Sequence, residues 1–244
     1  YSSDDAKLEV NIKYDDEVVW SESCDLHING GLNFWDTIAE IDNPKLWWPN
    51  GMGKQELYTV EIRVTCRGVT NEYKPFKIGI RTIKLNQDRI NENERLFAVE
   101  VNGVKTFCKG GNWVPADSVY LRITDEKYET LVREAAEANF NMLRMWGGGL
   151  YEPDVFYEKC SEYGIMLMHD FMYACAFYPD HLEWFEREAT READYQTKRL
   201  RNYACMAVWT GNNEIHESIT DWFRGQETVE TFHGAKIFNY IQPK

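Results

Sequence analysis

The chain has 244 residues, of which 43% are hydrophobic and 27% are charged, so it carries enough apolar material for a sizeable core. Its formal net charge of −13 makes nucleic acid and anionic membranes poor candidate partners. Its apolar runs fall short of the roughly 20 residues that a membrane-spanning helix needs. Its six cysteines include no Cys-x-x-Cys pair, which favours free thiols over a disulfide framework.

The first 85 residues have the pattern of β-strands. Residues 8–14, 58–65 and 78–85 alternate apolar and polar side chains, which is typical of half-buried antiparallel strands. We therefore predict a small immunoglobulin-like β-sandwich over residues 1–85. Trp47 and Trp48 form an aromatic segment within it, which either packs the edge of the sandwich or grips the face of a sugar.

Residues 86–244 have a different pattern. The Asn102-Gly103 pair between two apolar runs predicts a β-hairpin. Four short strands then alternate with helices, and we take residues 105–109, 141–146, 165–170 and the segment from Met206 as these strands. We expect four helices. The first begins after an N-cap at Thr124, and the second begins at Pro153 and ends at Gly164. The third spans about residues 182–203, and the fourth occupies the tail from about Glu227.

Alternating strands and helices imply parallel strands with right-handed crossovers. Two architectures fit, an open doubly wound sheet and part of a closed barrel. Gly110-Gly111 and Gly147-Gly148-Gly149 lack the Gly-x-Gly-x-x-Gly spacing of a dinucleotide-binding turn, which favours the barrel. Eight strand–helix units need roughly 250 residues, so residues 86–244 predict a partial (β/α) TIM barrel of about four units. Its unpaired strand edges predict self-association.

Polar and aromatic side chains are predicted to collect at the carboxyl ends of these four strands, where barrel enzymes carry their active sites. Amides and carboxylates bind vicinal hydroxyls, and Trp rings cover the apolar face of a pyranose, so this mixture favours a sugar-binding site. The candidate residues are Asn112, Trp113, Arg144, Trp146, Asp170, Asn213 and Glu214.

Glycoside cleavage needs two carboxyl groups, and Glu214 is the candidate acid. We expect it to be buried near Trp209, where burial would raise its pKa toward the working pH. Asp170 either belongs to the site or holds His169, which has the pattern of a core histidine. Glu152 is expected to cap the helix at Pro153. No His/Cys cluster has metal-ligand spacing, and we expect no metal and no cofactor.

An ordered series of motifs resembles glycoside hydrolase family 2. Residues 78–83 (IGIRTI) resemble the last sandwich strand of that family, and residues 101–105 with 108–117 (VNGVK, CKGGNWVPAD) resemble the entry to its barrel. Residues 141–149 (NMLRMWGGG), the Tyr151-Glu152 pair and residues 209–214 (WTGNNE) complete the match. The Trp-Val-Pro after Asn112 and the Trp-Gly-Gly-Gly after Arg144 are most similar to the β-mannosidase branch.

The resemblance implies a retaining exo-hydrolase that removes terminal β-D-mannose from an oligosaccharide or glycan. It implies that Glu214 is the general acid/base, that Asn213 binds the sugar 2-hydroxyl and that Arg144 supports the nucleophile. Trp113 and Trp146 would line the subsite for the terminal sugar. The family's nucleophile lies on a later strand, so we expect this chain to be a fragment that is inactive alone.

Three alternatives stay open at this point. The first is another activity of the same family: β-galactosidase, β-glucuronidase or exo-β-glucosaminidase. The second is a non-catalytic carbohydrate-binding module that uses Trp47 or Trp48. The third is an open-sheet enzyme that uses Asp170.

Overall fold

The computed structural model describes residues 3–222 and 232–243. It divides into two compact units. The first comprises Tyr1–Trp47 and Glu56–Ile80, and the second comprises Trp48–Gln55 and Arg81–Lys244. Among the described helices, none combines the length and the apolar character that crossing a lipid bilayer requires.

The first unit is built on one antiparallel sheet of five strands in the order β2-β1-β3-β4, with β5 also paired to β3. Alternate residues of β1 and β3 are buried on one face, among them Leu8, Val10 and Val60, which confirms the period-two prediction for these two strands. The strands are β1 (Asp4–Tyr14), β2 (Glu17–Ile28), β3 (Tyr58–Cys66), β4 (Val69–Glu72) and β5 (Phe76–Ile78).

The sheet is consistent with an immunoglobulin-like domain, but two details of the prediction are wrong. The described part of the first unit contains one sheet instead of two. The predicted strand over residues 78–85 is two strands, because β5 ends at Ile78 and pairs with β3, while β6 (Ile83–Asn86) belongs to a sheet of the second unit. The alternation of apolar and polar residues continues from β5 into β6, so the pattern alone does not reveal that the two strands pair with different neighbours.

The predicted hairpin is confirmed. Strands β7 (Ala98–Val101) and β8 (Val104–Thr106) pair antiparallel, and β6 pairs with the other edge of β7. Asn102 and Gly103 have φ values of 50° and 79°. Two successive positive φ angles define the type I′ turn that Asn-Gly favours.

The second unit also contains a parallel sheet. Its strands lie in the order β9-β10-β11-β12, which is their order along the chain. A doubly wound sheet reverses its strand order at a switch point, and these four strands show no reversal. The strands are β9 (Gly110–Trp113), β10 (Met142–Met145), β11 (Met166–Asp170) and β12 (Met206–Thr210).

The first parallel strand is not the one predicted. Residues 105–109 do not form it, because β9 begins at Gly110 and contains both glycines that were read as a following turn. A Cβ at Gly110 would lie 1.6 Å from the backbone oxygen of Met142 on β10. Glycine is required there because the two backbones approach so closely, and its low strand propensity hid the strand in the sequence.

In the part of the chain that the structure describes, four α-helices connect and follow these strands: α1 (Asp125–Glu137), α2 (Asp154–Tyr163), α3 (Glu183–Leu200) and α4 (Ile215–Asp221). Thr124 caps α1 by accepting a hydrogen bond from the Lys127 backbone N–H, and Gly164 ends α2 with φ of 74°, as predicted. The predicted tail helix begins outside the described residues, and Ile237–Ile241 forms one π-helical turn. Helix α4 was not predicted.

One face of the parallel sheet packs against α1 and α2. The core between them contains Leu143, Met145 and Leu167 from the strands and Val132, Phe156 and Cys160 from the helices. Because side chains alternate along a strand, the residues between these buried ones project from the opposite face. That opposite face carries Asn112, Arg144 and Asp170.

Candidate active site

Arg144 lies at the centre of the polar cluster. The register pairs Arg144 on β10 with Asn112 on β9 and with Met168 on β11, so Asn112, Arg144 and Asp170 share one face of the sheet. The Arg144 guanidinium reaches three neighbours. Its Nη2 lies 2.6 Å from Asp170 Oδ2 and 2.9 Å from Asn213 Oδ1, and its Nη1 lies 3.3 Å from Asn112 Oδ1. The predicted convergence of these four residues is therefore seen in the structure.

Asp170 anchors this arrangement from a fully buried position. Its side chain has 0% exposure, whereas that of Arg144 has 28%. Oδ1 accepts from Arg144 Nε at 3.3 Å, and Oδ2 also accepts from the Gly147 backbone N–H at 3.0 Å. Burial raises the pKa of Asp170, and the Arg144 guanidinium and the Gly147 N–H oppose that rise. Asp170 thus holds Arg144 in place, and a contact between Asp170 and a sugar stays a prediction.

Glu214 is connected to this cluster through Asn213. Asn213 is buried, its Oδ1 accepts from Arg144, and its Nδ2 lies 3.3 Å from Glu214 Oε2. The Cys175 thiol completes a triangle, 3.5 Å from Glu214 Oε2 and 3.3 Å from Asn213 Nδ2. Burial, followed by the hydrogen bond to Glu214, raises the pKa of Cys175, so its S–H can donate to the carboxylate.

The expected environment of Glu214 is wrong. Glu214 is exposed, whereas the prediction placed it in a buried environment. The Trp209 ring stacks on Phe171, with ring centroids 4.8 Å apart, and contacts His169 on the face of the sheet opposite Asp170. Glu214 has φ of 57°, in the left-handed region, immediately before α4. This turn directs the chain out of the strand and leaves the carboxyl group accessible to solvent.

Trp113 does not join the cluster. It lies one residue after Asn112, so its side chain projects from the helix-facing side, where its ring packs 4.7 Å from that of Phe156. Its indole N–H donates to Glu152 Oε1 at 2.9 Å. Glu152 is buried and also accepts from the Tyr128 hydroxyl at 2.5 Å, so it is not the predicted helix cap. The assignment of Trp113 to a sugar subsite is not supported by this position.

Trp146 and the glycines after it form the loop beside Arg144. Trp146 is half-buried, and a Cβ on Gly148 would lie 2.1 Å from its ring. A Cβ on Gly147 would lie 2.6 Å from the backbone oxygen of Tyr173. The glycines therefore permit close approach of the Trp146 ring and of the neighbouring loop. A role for Trp146 in a sugar subsite stays a prediction.

His169 is a core histidine, as its position in an apolar strand indicated. It has 0% exposure, its Nε2 lies 2.9 Å from the Tyr157 hydroxyl, and its Nδ1 lies 2.7 Å from the Asp170 backbone oxygen. Burial lowers the pKa of His169 from 6.5 to about 4. The neutral ring, with Nδ1–H donating and Nε2 accepting, satisfies both contacts.

This depressed pKa predicts an acid-sensitive contribution to stability. Between pH 4 and 6.5 the unfolded chain binds a proton at His169 that the native chain excludes, so stability rises with pH through this window and falls on acidification. We expect the contribution of His169 to the free energy of unfolding to decrease by about 2 kcal/mol from pH 7 to pH 5. Urea unfolding of the wild type and of His169→Gln at both pH values measures it, and equal losses in the two proteins would contradict the assignment.

Two features of the site were not anticipated from the sequence. Cys175 is separated by 38 residues from Asn213, and only a backbone bridge between Ala174 and Asn213 brings it to Glu214. Gly147 was read only as part of a glycine run, whereas its N–H binds Asp170. The available signal for Gly147 was its position one residue after Trp146, at the end of a strand.

Comparison with known proteins agrees with the sequence resemblance. Residues 1–81 match the family model described as "Glycosyl hydrolases family 2". A β-mannosidase of Rattus norvegicus is 40% identical over 179 residues, which cover 72% of this chain and 20% of that protein. β-Mannosidase B of Emericella nidulans is 37% identical over 185 residues, which cover 76% of this chain and 22% of that protein. The chain belongs to glycosyl hydrolase family 2.

Solved structures of family members extend the match to the second unit. A β-D-mannosidase from Dictyoglomus thermophilum superposes with a TM-score of 0.91 at 38% identity, covering 98% of this chain and 29% of that chain. A β-glucuronidase of Parabacteroides merdae superposes with a TM-score of 0.68 at 17% identity, a likeness of fold alone. The chain spans about a fifth of the length of the two curated relatives.

Proposed function

We propose that the chain supplies the acid/base side of a retaining exo-acting glycosidase that removes terminal β-D-mannose from oligosaccharides or glycoconjugates. One observation carries the proposal: the hydrogen bonds that join Asp170, Arg144, Asn213 and Glu214 at the carboxyl ends of three adjacent parallel strands. We take this sheet as the first half of a TIM barrel, in which that edge carries the active site. The choice of mannose rests on the similarity to named β-mannosidases.

In this mechanism Glu214 protonates the departing glycosidic oxygen and later takes a proton from the attacking water. Its exposed position lets a substrate oxygen reach it. The Asn213 amide, held by Arg144, orients the carboxyl group and the adjacent sugar hydroxyl. Asn112 and Trp146 lie beside Arg144 as further candidate sugar contacts.

A second carboxyl group, about 5 Å from the first, must act as the nucleophile. Asp170 is unsuited to that task, because it is fully buried and its two oxygens are held by Arg144 and the Gly147 N–H. We therefore expect the isolated 244-residue chain not to hydrolyse p-nitrophenyl β-mannoside. Measurable hydrolysis that Glu214→Gln abolishes would contradict this expectation.

The activity can be tested in a chimera in which this chain replaces the matching segment of the D. thermophilum β-mannosidase. The match covers 98% of this chain, so the exchange is close to complete. We expect the chimera to hydrolyse p-nitrophenyl β-mannoside in preference to the corresponding β-galactoside, β-glucuronide and β-glucosaminide. Preference for one of the other three would favour the corresponding family activity, and a folded but inactive chimera would count against the proposal.

A non-catalytic carbohydrate-binding module is less well supported. Trp47 has 0% exposure, so its ring is not available to a sugar face. Trp48 is half-buried. Sugar binding that survives Glu214→Gln and Arg144→Met but fails in Trp48→Ala would favour this alternative.

Self-association is also expected. Strands β9 and β12 each pair on one side only among the described strands. The face of the sheet that carries Met142, Met168 and Val208 borders an apolar cavity of about 390 Å³. Phe97 and Phe107 beside that cavity have exposures of 70% and 84%. Unpaired edges and exposed apolar surface favour association, so light scattering is expected to show species larger than a monomer, and a monomer at high concentration would contradict this.

A further inference from the structure

A cluster of potential metal ligands is formed by residues other than those that bond to Glu214, Asn213 or Arg144. One ligand atom each from Asp180, His181 and His233 lies within 4.8 Å of the other two. The first two residues precede α3, and His233 follows more than 50 residues later along the chain. This separation explains why spacing in the sequence indicated no metal site. We propose that these three residues bind one divalent transition-metal ion, with Zn²⁺ as the best match.

The donor set has the chemistry that zinc prefers. Two imidazole nitrogens and one carboxylate oxygen give three protein ligands, and water completes a tetrahedron. Ligand atoms around one zinc ion lie about 3.4 Å apart, given metal–ligand distances of about 2.0–2.2 Å. Both histidines are exposed, so rotation of their side chains can close the remaining gap without moving the backbone. The net charge of −13 also favours a bound cation.

The backbone beneath the cluster is held by hydrogen bonds between the two segments. The Tyr178 N–H donates to the backbone oxygen of His233 at 3.0 Å. The Lys236 N–H donates to Asp180 Oδ2 at 3.0 Å. These two bonds fix the separation of the segments that carry the ligands, so the ion is not required to assemble them.

An aromatic cluster also holds together the two backbone segments that carry the ligands. The Tyr178 ring packs 5.8 Å from that of Phe238 and 6.2 Å from that of Phe185, and Phe232 stacks on Phe238. Gly234, with φ of 115°, makes the turn between His233 and this packing. Because these segments are already held in place, the ligands lose little conformational freedom on binding, which favours affinity for the ion.

Lys236 is a positively charged neighbour of the cluster, because its backbone N–H donates to Asp180. The Lys236 ammonium lies 2.5 Å from Glu186 Oε2, so its charge is balanced. The carboxylate of Asp180 accepts a backbone N–H at Oδ2. The bound ion would therefore link the loop before α3 to residues 232–236 and add to the stability of that contact.

The test uses the whole 244-residue chain after treatment with a chelator. Zn²⁺ is titrated calorimetrically, and Co²⁺ is added as a spectroscopic probe. The probe distinguishes imidazole from thiolate ligands, which matters because thiolates also bind these ions and the chain has six cysteines. We expect one site with the visible absorption of tetrahedral Co²⁺ and without a thiolate charge-transfer band. Affinity should fall as the solution is acidified, since metal ligands must be deprotonated.

His181→Ala and His233→Ala are expected to weaken Zn²⁺ binding at least tenfold, and both replace exposed side chains, so folding is retained. Asp180→Asn keeps an oxygen that can accept the Lys236 N–H and is expected to weaken binding by a smaller factor. His27→Ala is the matched control, because His27 is an exposed histidine paired with Asp5 in the first unit.

Zn²⁺ should also raise the melting temperature of the wild type but not that of His233→Ala. Absence of binding, a thiolate band, or equal affinities in the wild type, His181→Ala and His233→Ala would overturn the proposal.

Discussion

Replacing Arg144 by methionine is expected to lower the free energy of unfolding by about 3–5 kcal/mol, because the substitution leaves a buried carboxylate without its cation. Asp170 has 0% exposure and receives two of its hydrogen bonds from this one guanidinium. Methionine has a similar length and stays apolar, so the loss reports on the charge more than on packing. Chemical unfolding of the 244-residue chain at pH 7 measures the effect.

Arg122→Met is the matched control. Arg122 pairs with Asp117 at 2.9 Å, but its side chain is 68% exposed, and exposed pairs contribute about 0–1 kcal/mol. Similar losses in the two variants would contradict the importance of the buried pair.

The pH dependence of the variant gives a second measurement. Without Arg144, burial raises the pKa of Asp170 further, since its main opposing charge is gone. An acid whose pKa is higher in the native than in the unfolded chain destabilises the fold least when it is protonated. The loss in free energy of unfolding caused by Arg144→Met should therefore become smaller as the pH falls. In Arg144→Met/Asp170→Asn the buried charge is absent, and we expect a loss well below the sum of the two single losses.

Glu214→Gln is expected to lower kcat/KM for an aryl β-mannoside by roughly 10²–10⁴-fold in the chimera with the D. thermophilum enzyme, because the amide cannot transfer the proton. Glutamine keeps the size of the side chain and an oxygen that can accept from Asn213 and Cys175. The folded structure should therefore be unchanged, and the loss reports on proton transfer.

The leaving group provides the diagnostic control. A good leaving group such as dinitrophenolate needs little protonation, so the effect of Glu214→Gln on its release should be much smaller. Glu217→Gln is the matched control, because Glu217 is an exposed residue of α4 three positions after Glu214, and it should leave the rate unchanged. A uniform loss across leaving groups, or an equal loss in Glu217→Gln, would argue against Glu214 as the acid.

Much of the local structure could be predicted because its causes lie within a few residues. Asn102-Gly103 adopts the positive φ angles that its residue types tolerate, and Thr124 and Gly164 sit at helix ends for equally local reasons. The predictions were wrong where contact with a residue far away along the chain decides the secondary structure. Gly110 lies in a strand because the backbone of β10 approaches it, and residues 78–85 divide because each half pairs with a different sheet.

For the site, residue types and strand ends were enough to predict which side chains would meet. Asn112, Arg144, Asp170 and Asn213 are in contact because parallel strands in register bring their carboxyl ends to one edge. The sequence could not show which face each side chain takes, because one residue of register moves a side chain across the sheet. The sequence placed Trp113 and Trp209 near the polar cluster for this reason, whereas both lie on the helix-facing side of the sheet.

By itself, then, the sequence determined the alternation of the strands, the helix ends and the family, since these depend on neighbouring residues and on ordered motifs. Only the tertiary structure decided that Asp170 is buried while Glu214 is exposed, and that Cys175 and His233 meet partners far away along the chain. Burial and long-range contact depend on how separate segments pack together, and that packing is a property of the folded chain as a whole.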